Sequence, residues 1–275
     1  MMKYLKMVGK IVLYLGSVYL MMTIMSLFVN ALIGMKVIQG ELYKWIYENQ
    51  SLLMIPTIVI VMLMYLLVFK LRKKSFTEFC EIKKISFKSV ALLFTIALSM
   101  GIFTTAFTSM SFILEKFPEL DSTINFFMGN GNVIVAILTS VLIIPAYEEV
   151  LFRGLIFNEL RNNMAIPIAF LIQNLIYAII QPNLMSIIFG FIGGFIFSLA
   201  YLWVKSLWAP ILLQTISCFF MLFFRRLGVH LVFRGIGDIA IIIVLIAAVF
   251  TITYIMLSFR KDSKKLSQDL NNLSI

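Results

Sequence analysis

Charged residues, cysteine and histidine are scarce in this chain of 275 residues, and these shortages limit what it can be. Charged residues make up 13% of the chain, about half of their share in a soluble domain, which excludes a soluble globular protein. The two cysteines, Cys80 beside a basic loop and Cys218 in an apolar segment, provide no disulfide framework. The single histidine, His230, stands in a loop and is expected to be solvated.

Apolar residues are abundant instead: they make up 61% of the chain, and the mean hydropathy is +1.01. A helix needs about 20 apolar residues to cross the hydrocarbon core of a bilayer. Segments of that kind occur at 8–34, 52–69, 90–110, 133–160, 165–180, 184–204, 207–224 and 236–259. The first is too long for a signal peptide and is expected to be retained. The sequence therefore predicts an all-α, polytopic membrane helix bundle with about eight transmembrane helices.

No internal repeat, flexible linker or segment of soluble-domain length interrupts the spans. We therefore expect residues 1–262 to form a single transmembrane bundle. The polar residues 263–275 are expected to form a disordered cytoplasmic tail.

The net charge of +10 comes from basic residues that flank the spans rather than from one face of a soluble domain. Nucleic acid is therefore not an expected partner, whereas the lipid bilayer is. The loop over residues 70–88 holds seven basic residues, and the loop over residues 111–130 is acidic. The positive-inside rule then predicts that both termini are cytoplasmic, and the composition fits a bacterial plasma membrane.

One basic cluster does not fit this pattern. Arg225, Arg226 and Arg234 lie between the last two spans, which eight crossings place on the outer side. Either a span is miscounted there or these arginines act on the outer face.

The candidate functional site begins with three ionisable residues, Glu148, Glu149 and Arg153, inside the fourth apolar segment. Each charge at bilayer depth costs roughly 2.5 to 3.5 kcal/mol, so such groups are usually paired and functional. Glu149 and Arg153 are four residues apart on a helix and can form an ion pair, while Glu148 points about 100° away. The alternative is a charge cluster at a helix end that extends to water. Glycines 190, 193 and 194 indicate close helix packing.

Residues 148–154, Glu-Glu-Val-Leu-Phe-Arg-Gly, resemble the first motif of the CAAX-protease and bacteriocin-processing family (CPBP, or Abi) of intramembrane proteases. The family's second motif, Phe-x-x-x-His, corresponds to Tyr177 through Gln181. Its third, His-x-x-x-Asn, corresponds to Gln214 through Cys218, after Ser-Leu-Trp-Ala-Pro at 206–210. The resemblance covers a core of about residues 133–225.

The resemblance implies that Glu148 activates a water molecule, with Glu149 and Arg153 as electrostatic support. The resemblance further implies that the second-motif His helps to activate the water, while the third-motif His and Asn stabilise the oxyanion. Here both histidines are glutamines, Gln181 and Gln214; Cys218 replaces the Asn and Tyr177 the Phe.

Glutamine does not titrate, so Gln181 cannot shuttle a proton, a step typically worth 10² to 10⁴-fold in rate. The amide of Gln214 could still donate to an oxyanion, which is worth about 10²-fold or more. A carboxamide is a poor zinc ligand compared with imidazole, so neither a metal nor another cofactor is expected. The Cys218 thiol is expected to be a packing residue.

Two main functional hypotheses follow. The first is a degenerate member, a pseudoenzyme, that keeps the scaffold and binds membrane-protein or peptide partners in regulation, bacteriocin immunity or envelope assembly. The second is an active CAAX-type intramembrane endopeptidase that uses Glu148 with glutamine donors. A transporter is a third alternative, although two Glu and one Arg in one span are few ionisable residues to line an ion pathway.

Overall fold

The computed structural model describes residues 2–129 and 131–273, with side chains described over 2–128 and 131–261. In these ranges every regular element is helical and there is no strand. Seven helices of the described chain are long and apolar enough to cross a membrane: Met2–Gly34, Gln50–Leu71, Phe87–Phe107, Val133–Arg161, Leu184–Val204, Trp208–Arg226 and Asp238–Lys261. The prediction of an all-α polytopic membrane protein is confirmed.

The remaining predicted span, residues 165–180, corresponds to a shorter apolar helix, Ile166–Ile179, of 14 residues. At 1.5 Å per residue it is about 21 Å long, which is less than the roughly 30 Å of the hydrocarbon core. Ile180 follows this helix, and Gln181 and Pro182 then end the apolar run.

The α-helices, numbered in chain order, are α1 Met2–Gly34, α2 Gly40–Glu48, α3 Met54–Leu71, α4 Phe76–Phe79, α5 Phe87–Phe107, α6 Ser111–Lys116, α7 Pro118–Ile124, α8 Val133–Ala136, α9 Ile144–Glu149, α10 Asn158–Arg161, α11 Ile166–Ile179, α12 Leu184–Val204, α13 Trp208–Arg226, α14 Val229–Ile236 and α15 Asp238–Leu273. A 3₁₀ turn, Gln50–Leu53, precedes α3. Three segments have π-helical hydrogen bonding: Asn125–Gly129, Ile137–Ile143 and Val150–Phe157.

The chain divides into two compact units, of which the first comprises Met1–Glu81 and Ile124–Gln173. In this unit α1 packs along α3, which also contacts α9. The Tyr65 hydroxyl donates to the Tyr14 carbonyl at 2.7 Å, and Lys10 Nζ lies 2.6 Å from Glu159 Oε1. The first contact joins α1 to α3, and the second joins α1 to the span that carries the candidate site, because polar groups inside a bundle must find partners within the protein.

The second unit comprises Ile82–Thr123 and Asn174–Ile275, and its core forms where α5 packs against α13 and α15. The close approach of α5 and α13 depends on Gly101, where an added Cβ would lie 2.6 Å from Phe220 Cβ. Leu93, Ile96 and Leu213 are fully buried in this core.

The C-terminal segment has a helical backbone up to Leu273, and the disordered cytoplasmic tail over residues 263–275 stays a prediction. Residues 263–273 continue α15 to Leu273, since the stretch contains good helix formers such as Lys and Leu and neither Gly nor Pro. Residues 274–275 lie outside the described residues, and the single bundle over residues 1–262 stays a prediction.

Candidate functional site

The first motif lies in a span with unusual helical geometry. Val133–Arg161 alternates between α-helix and π-helix, and Glu148 and Glu149 end α9 just before the π-helical segment Val150–Phe157. Pro145, which has no amide hydrogen, stands at the start of α9. π-helical turns are rare and often occur at functional sites, because they change the direction of the side chains that follow. Pro145 is the one residue of this span whose type indicates a change of helical geometry.

Glu149 and Arg153 form the ion pair that their spacing predicts. Arg153 Nη1 donates to Glu149 Oε1 at 2.9 Å, and both side chains have 0% solvent exposure. The alternative of a charge cluster that extends to water therefore does not hold for these two residues. Glu149 Oε2 is also buried and accepts no hydrogen bond from the described residues. A second buried donor could therefore bind this carboxylate.

Glu148 occupies a different environment from its neighbour. Its side chain is half-buried, and at about 100° per residue it points to another face of the helix than Glu149. The preceding residue, Tyr147, is buried, with its hydroxyl 3.4 Å from that of Tyr65. Of the two adjacent carboxylates, Glu149 is thus the one in the Arg153 pair, and Glu148 is the more accessible one.

The second and third motifs lie in the second unit, where hydrogen bonds bring three of their residues together. Gln214 Nε2 donates to the Tyr177 hydroxyl at 3.4 Å, and Gln181 Nε2 donates to the Tyr177 carbonyl at 3.3 Å. Tyr177 and Gln214 are buried, Gln181 is half-buried, and the half-buried Cys218 follows Gln214 by four residues on α13. Tyr177 therefore connects the two glutamines that stand at the histidine positions.

Two neighbours of this group were not among the predicted site residues. An added Cβ at Gly190 would lie 2.9 Å from Gln181 Cγ, so the absence of a side chain there makes room for Gln181. Ser198, which is fully buried, donates to Asn174 Oδ1 at 3.3 Å. Both residues lie on α12. The sequence feature that could have identified them is a glycine or a polar residue inside an apolar span.

The residues at the site do not fit a catalytic metal. Among the described residues no group of three or more His, Cys, Asp or Glu side chains could hold an ion. Zinc sites use such N, S and O donors, and the motif positions present carboxamides instead.

Known proteins resemble the part of the chain that carries the three motifs. A family model described as type II CAAX prenyl endopeptidase Rce1-like matches residues 130–220. The membrane-embedded CAAX protease MroQ of Staphylococcus aureus (strain USA300) is 37% identical over 90 residues, which are 30% of this chain and 36% of MroQ. The chain thus spans about a third of the length of this relative. No solved structure matches the chain. Residues 130–220, the region that holds Glu148, Gln181 and Gln214, are thus similar to the CAAX endopeptidase (CPBP) family.

Proposed function

We propose that this protein is a catalytically impaired, protease-like scaffold that binds membrane-protein or peptide partners. One observation carries the proposal: the side chains at both histidine positions of the family are neutral amides that hydrogen-bond to Tyr177. A binding role needs the shape of the fold, whereas catalysis needs a proton donor and acceptor at these positions.

The buried ion pair supports a preserved scaffold. Glu149 and Arg153 keep the charge and spacing of the first motif and contact each other without exposure to solvent. Losing one partner would leave the other buried and unpaired, which is strongly destabilising. The pair can therefore be retained for stability alone, and its presence does not require catalysis.

The glutamines limit the chemistry available to Glu148. A carboxylate can accept a proton from water, but transfer of that proton to a leaving amine requires a group that titrates near the working pH. Gln181 does not titrate, and its amide donates to the Tyr177 carbonyl of α11, the helix that precedes it. The Gln214 amide donates to the Tyr177 hydroxyl, so its use as an oxyanion donor would require this contact to change.

The second candidate function is an active intramembrane endopeptidase in which Glu148 activates water. Two observations favour it: Glu148 is half-buried, while Arg153 pairs with Glu149, and a relative described as a CAAX protease matches this region. Gln214 would then supply the oxyanion donor, a contribution worth about 10²-fold.

We propose further that the protein resides in a bacterial plasma membrane with both termini in the cytoplasm. The distribution of basic loops and the bacterial source of the relative support this location. The scaffold could then serve in regulation, bacteriocin immunity or envelope assembly, which are all binding roles.

The Glu148→Gln variant separates the two candidate functions, because it keeps the shape of the side chain and removes its proton-accepting capacity. Peptides released from membranes would be compared among cells that lack the protein, carry it unchanged, or carry Glu148→Gln at equal abundance. Under the scaffold proposal, the unchanged protein and the variant release the same peptides as cells without it. Peptides that require the unchanged protein and disappear with Glu148→Gln would establish the enzyme instead.

A companion variant restores the family's motif residues through Gln181→His, Gln214→His and Cys218→Asn. The impaired scaffold should gain cleavage of a prenylated model peptide in detergent when the histidines return, because titratable groups are what it lacks. An unchanged protein that already cleaves this peptide, at a rate lowered by Glu148→Gln, would contradict the proposal.

A further inference from the structure

The arginines between the last two spans form a defined cluster that the proposed function does not use. Arg225 and Arg226 end α13, while His230 and Arg234 lie on α14. Asp121 Oδ1 accepts from Arg225 Nη2 at 2.8 Å and from Arg234 Nη2 at 3.3 Å. Because both guanidinium groups contact the same carboxylate oxygen, they are neighbours. We call Arg225, Arg226, His230 and Arg234 the arginine cluster.

Positive charge exceeds negative charge here. Residues 225–234 include three arginines and no acidic residue, Asp121 pairs with two of these arginines, and Asp238 accepts the Ser111 amide at 3.0 Å. Burial first, and then the nearby Arg225 and Arg234, lower the pKa of His230, so its imidazole is neutral near pH 7. His230 Nδ1 is buried and has no hydrogen-bond partner among the described residues. The cluster thus combines excess positive charge with an unsatisfied polar atom, a combination suited to a bound anion.

The helix that carries half of this cluster is amphipathic. At 100° per residue, His230 and Arg234 share one face of α14, while Val232 and Ile236 share another. Leu231, Val232 and Ile236 are 58%, 63% and 48% exposed. Gly228 and Gly237 flank the helix with φ of +72° and +84°, a left-handed backbone that favours glycine. A short helix with one basic and one exposed apolar face is typical of an element that lies in the membrane interface.

We propose that α14 and the arginine cluster bind the phosphate headgroup of an anionic phospholipid at the membrane surface. The planar guanidinium fork matches two phosphate oxygens at once, and His230 Nδ1 supplies a further polar contact. The apolar face of α14 lies against the acyl chains of the same leaflet. A phospholipid can bind the basic face through its phosphate and the apolar face through its acyl chains, whereas a free anion can bind only the basic face. The amphipathic pattern of α14 therefore favours a lipid headgroup over free phosphate.

The test uses native mass spectrometry of the full-length protein in detergent, titrated with short-chain phosphatidylglycerol or phosphatidylcholine. The protein should retain phosphatidylglycerol preferentially. Arg225→Gln or Arg234→Gln should each weaken this binding about fivefold, the factor that corresponds to about 1 kcal/mol per basic residue near an anionic surface. Arg225→Lys, which keeps the charge, should lose less than Arg225→Gln. Equal retention of the two lipids by the unchanged protein would overturn the proposal.

Two controls separate a lipid site from general charge and from folding. Arg260→Gln with Lys261→Gln, at the distant end of the last span, should leave the preference for phosphatidylglycerol intact. Asp121→Asn should preserve or increase the preference, because it removes a competing carboxylate. A loss with Asp121→Asn as large as with the arginine variants would mean that these residues only hold the fold together. Displacement of phosphatidylglycerol by inorganic phosphate alone would identify a free-anion site and refute the lipid assignment.

Discussion

The ion pair between Glu149 and Arg153 makes an energetic prediction at the scale of single residues. Neither side chain is exposed, and Arg153 Nη1 lies 2.9 Å from Glu149 Oε1. Arg153→Ala would leave a buried carboxylate without its cation, a loss of roughly 3 to 5 kcal/mol for a buried pair. We expect a large drop in thermal stability in detergent. Glu149→Ala with Arg153→Ala should recover part of it, because no unpaired charge remains.

A second ion pair in the same unit supplies the matched control. Arg161 Nη2 lies 3.0 Å from Glu81 Oε1, with side chains 22% and 25% exposed. Solvent-exposed pairs contribute only about 0 to 1 kcal/mol, so Arg161→Ala should lower stability much less than Arg153→Ala. Similar losses in the two variants, or strict additivity of the Glu149 and Arg153 changes, would argue against a specific buried pair.

Gly190 and Gly193 make a second comparison, one helical turn apart on α12. An added methyl group at Gly190 would lie 2.9 Å from Gln181 Cγ, whereas one at Gly193 would meet Phe197 at an ordinary 3.7 Å. Gly190→Ala should therefore displace Gln181 and reduce thermal stability. Gly193→Ala should be neutral or stabilising by up to about 1 kcal/mol, because alanine is the better helix former. Equal changes in thermal stability in the two variants would show that the Gln181 side chain moves away from the new methyl group without destabilising the protein.

Sequence spacing was sufficient for some of these residue contacts and insufficient for others. The Glu149–Arg153 pair follows from residues four apart on one helix. The bond between Gln214 and Tyr177 joins residues that are 37 positions apart on different helices. No local periodicity fixes such a contact, since it depends on how α11 and α13 pack. The motif resemblance identified these positions, but not that their side chains bond to each other.

At the scale of elements, the packing of α5 against α13 depends on a glycine. A methyl group at Gly101 would lie 2.6 Å from Phe220 Cβ and 3.5 Å from the Ser217 carbonyl oxygen. Gly101→Ala should separate the helices and lower the midpoint of thermal unfolding. Gly16→Ala on α1, where no atom lies within 4 Å, should not. Unchanged stability in Gly101→Ala would mean that the two helices slide apart easily.

Hydropathy predicted the long helices well and their local geometry poorly. Runs of about 20 apolar residues are read directly from composition, which explains the agreement over α5, α12 and α13. The π-helical segments Ile137–Ile143 and Val150–Phe157 have the same apolar composition as ordinary helix. Their hydrogen bonding reflects packing inside the unit, which a hydropathy pattern does not contain.

At the scale of the whole molecule, contacts between distant loops constrain the number of crossings. Asp121 and Arg225 form an ion pair, so they lie on the same side of the membrane. Val133–Arg161, α12 and α13 separate them, and three crossings would place them on opposite sides. We therefore predict that the short helix α11 supplies a fourth crossing. The hydrogen bond from Ser206 Oγ to the Lys83 carbonyl leads to the same count, since α5, Val133–Arg161, α11 and α12 separate those residues.

With eight crossings, the arginine cluster would lie on the outer face and the C-terminus on the same side of the membrane as the N-terminus. The basic loop over residues 70–88 predicts that this shared side is the cytoplasm. Single reporter cysteines at Lys74, Ser122 and Leu227, all exposed, would test the arrangement in a chain with Cys218 replaced. Burial raises the pKa of Cys80 to about 12, so this thiol stays protonated at neutral pH and adds little background.

An impermeant maleimide should label Ser122→Cys and Leu227→Cys in intact cells, and Lys74→Cys only after the membrane is permeabilised. Labelling at Ser122→Cys without labelling at Leu227→Cys would mean that α11 does not cross and that the Asp121–Arg225 pair is absent in the membrane. Labelling at Lys74→Cys in intact cells, with the other two protected, would keep eight crossings but invert the protein. Each topology predicts a different pattern of labelling at the three positions. The pattern therefore gives both the number of crossings and the orientation of the protein in the membrane.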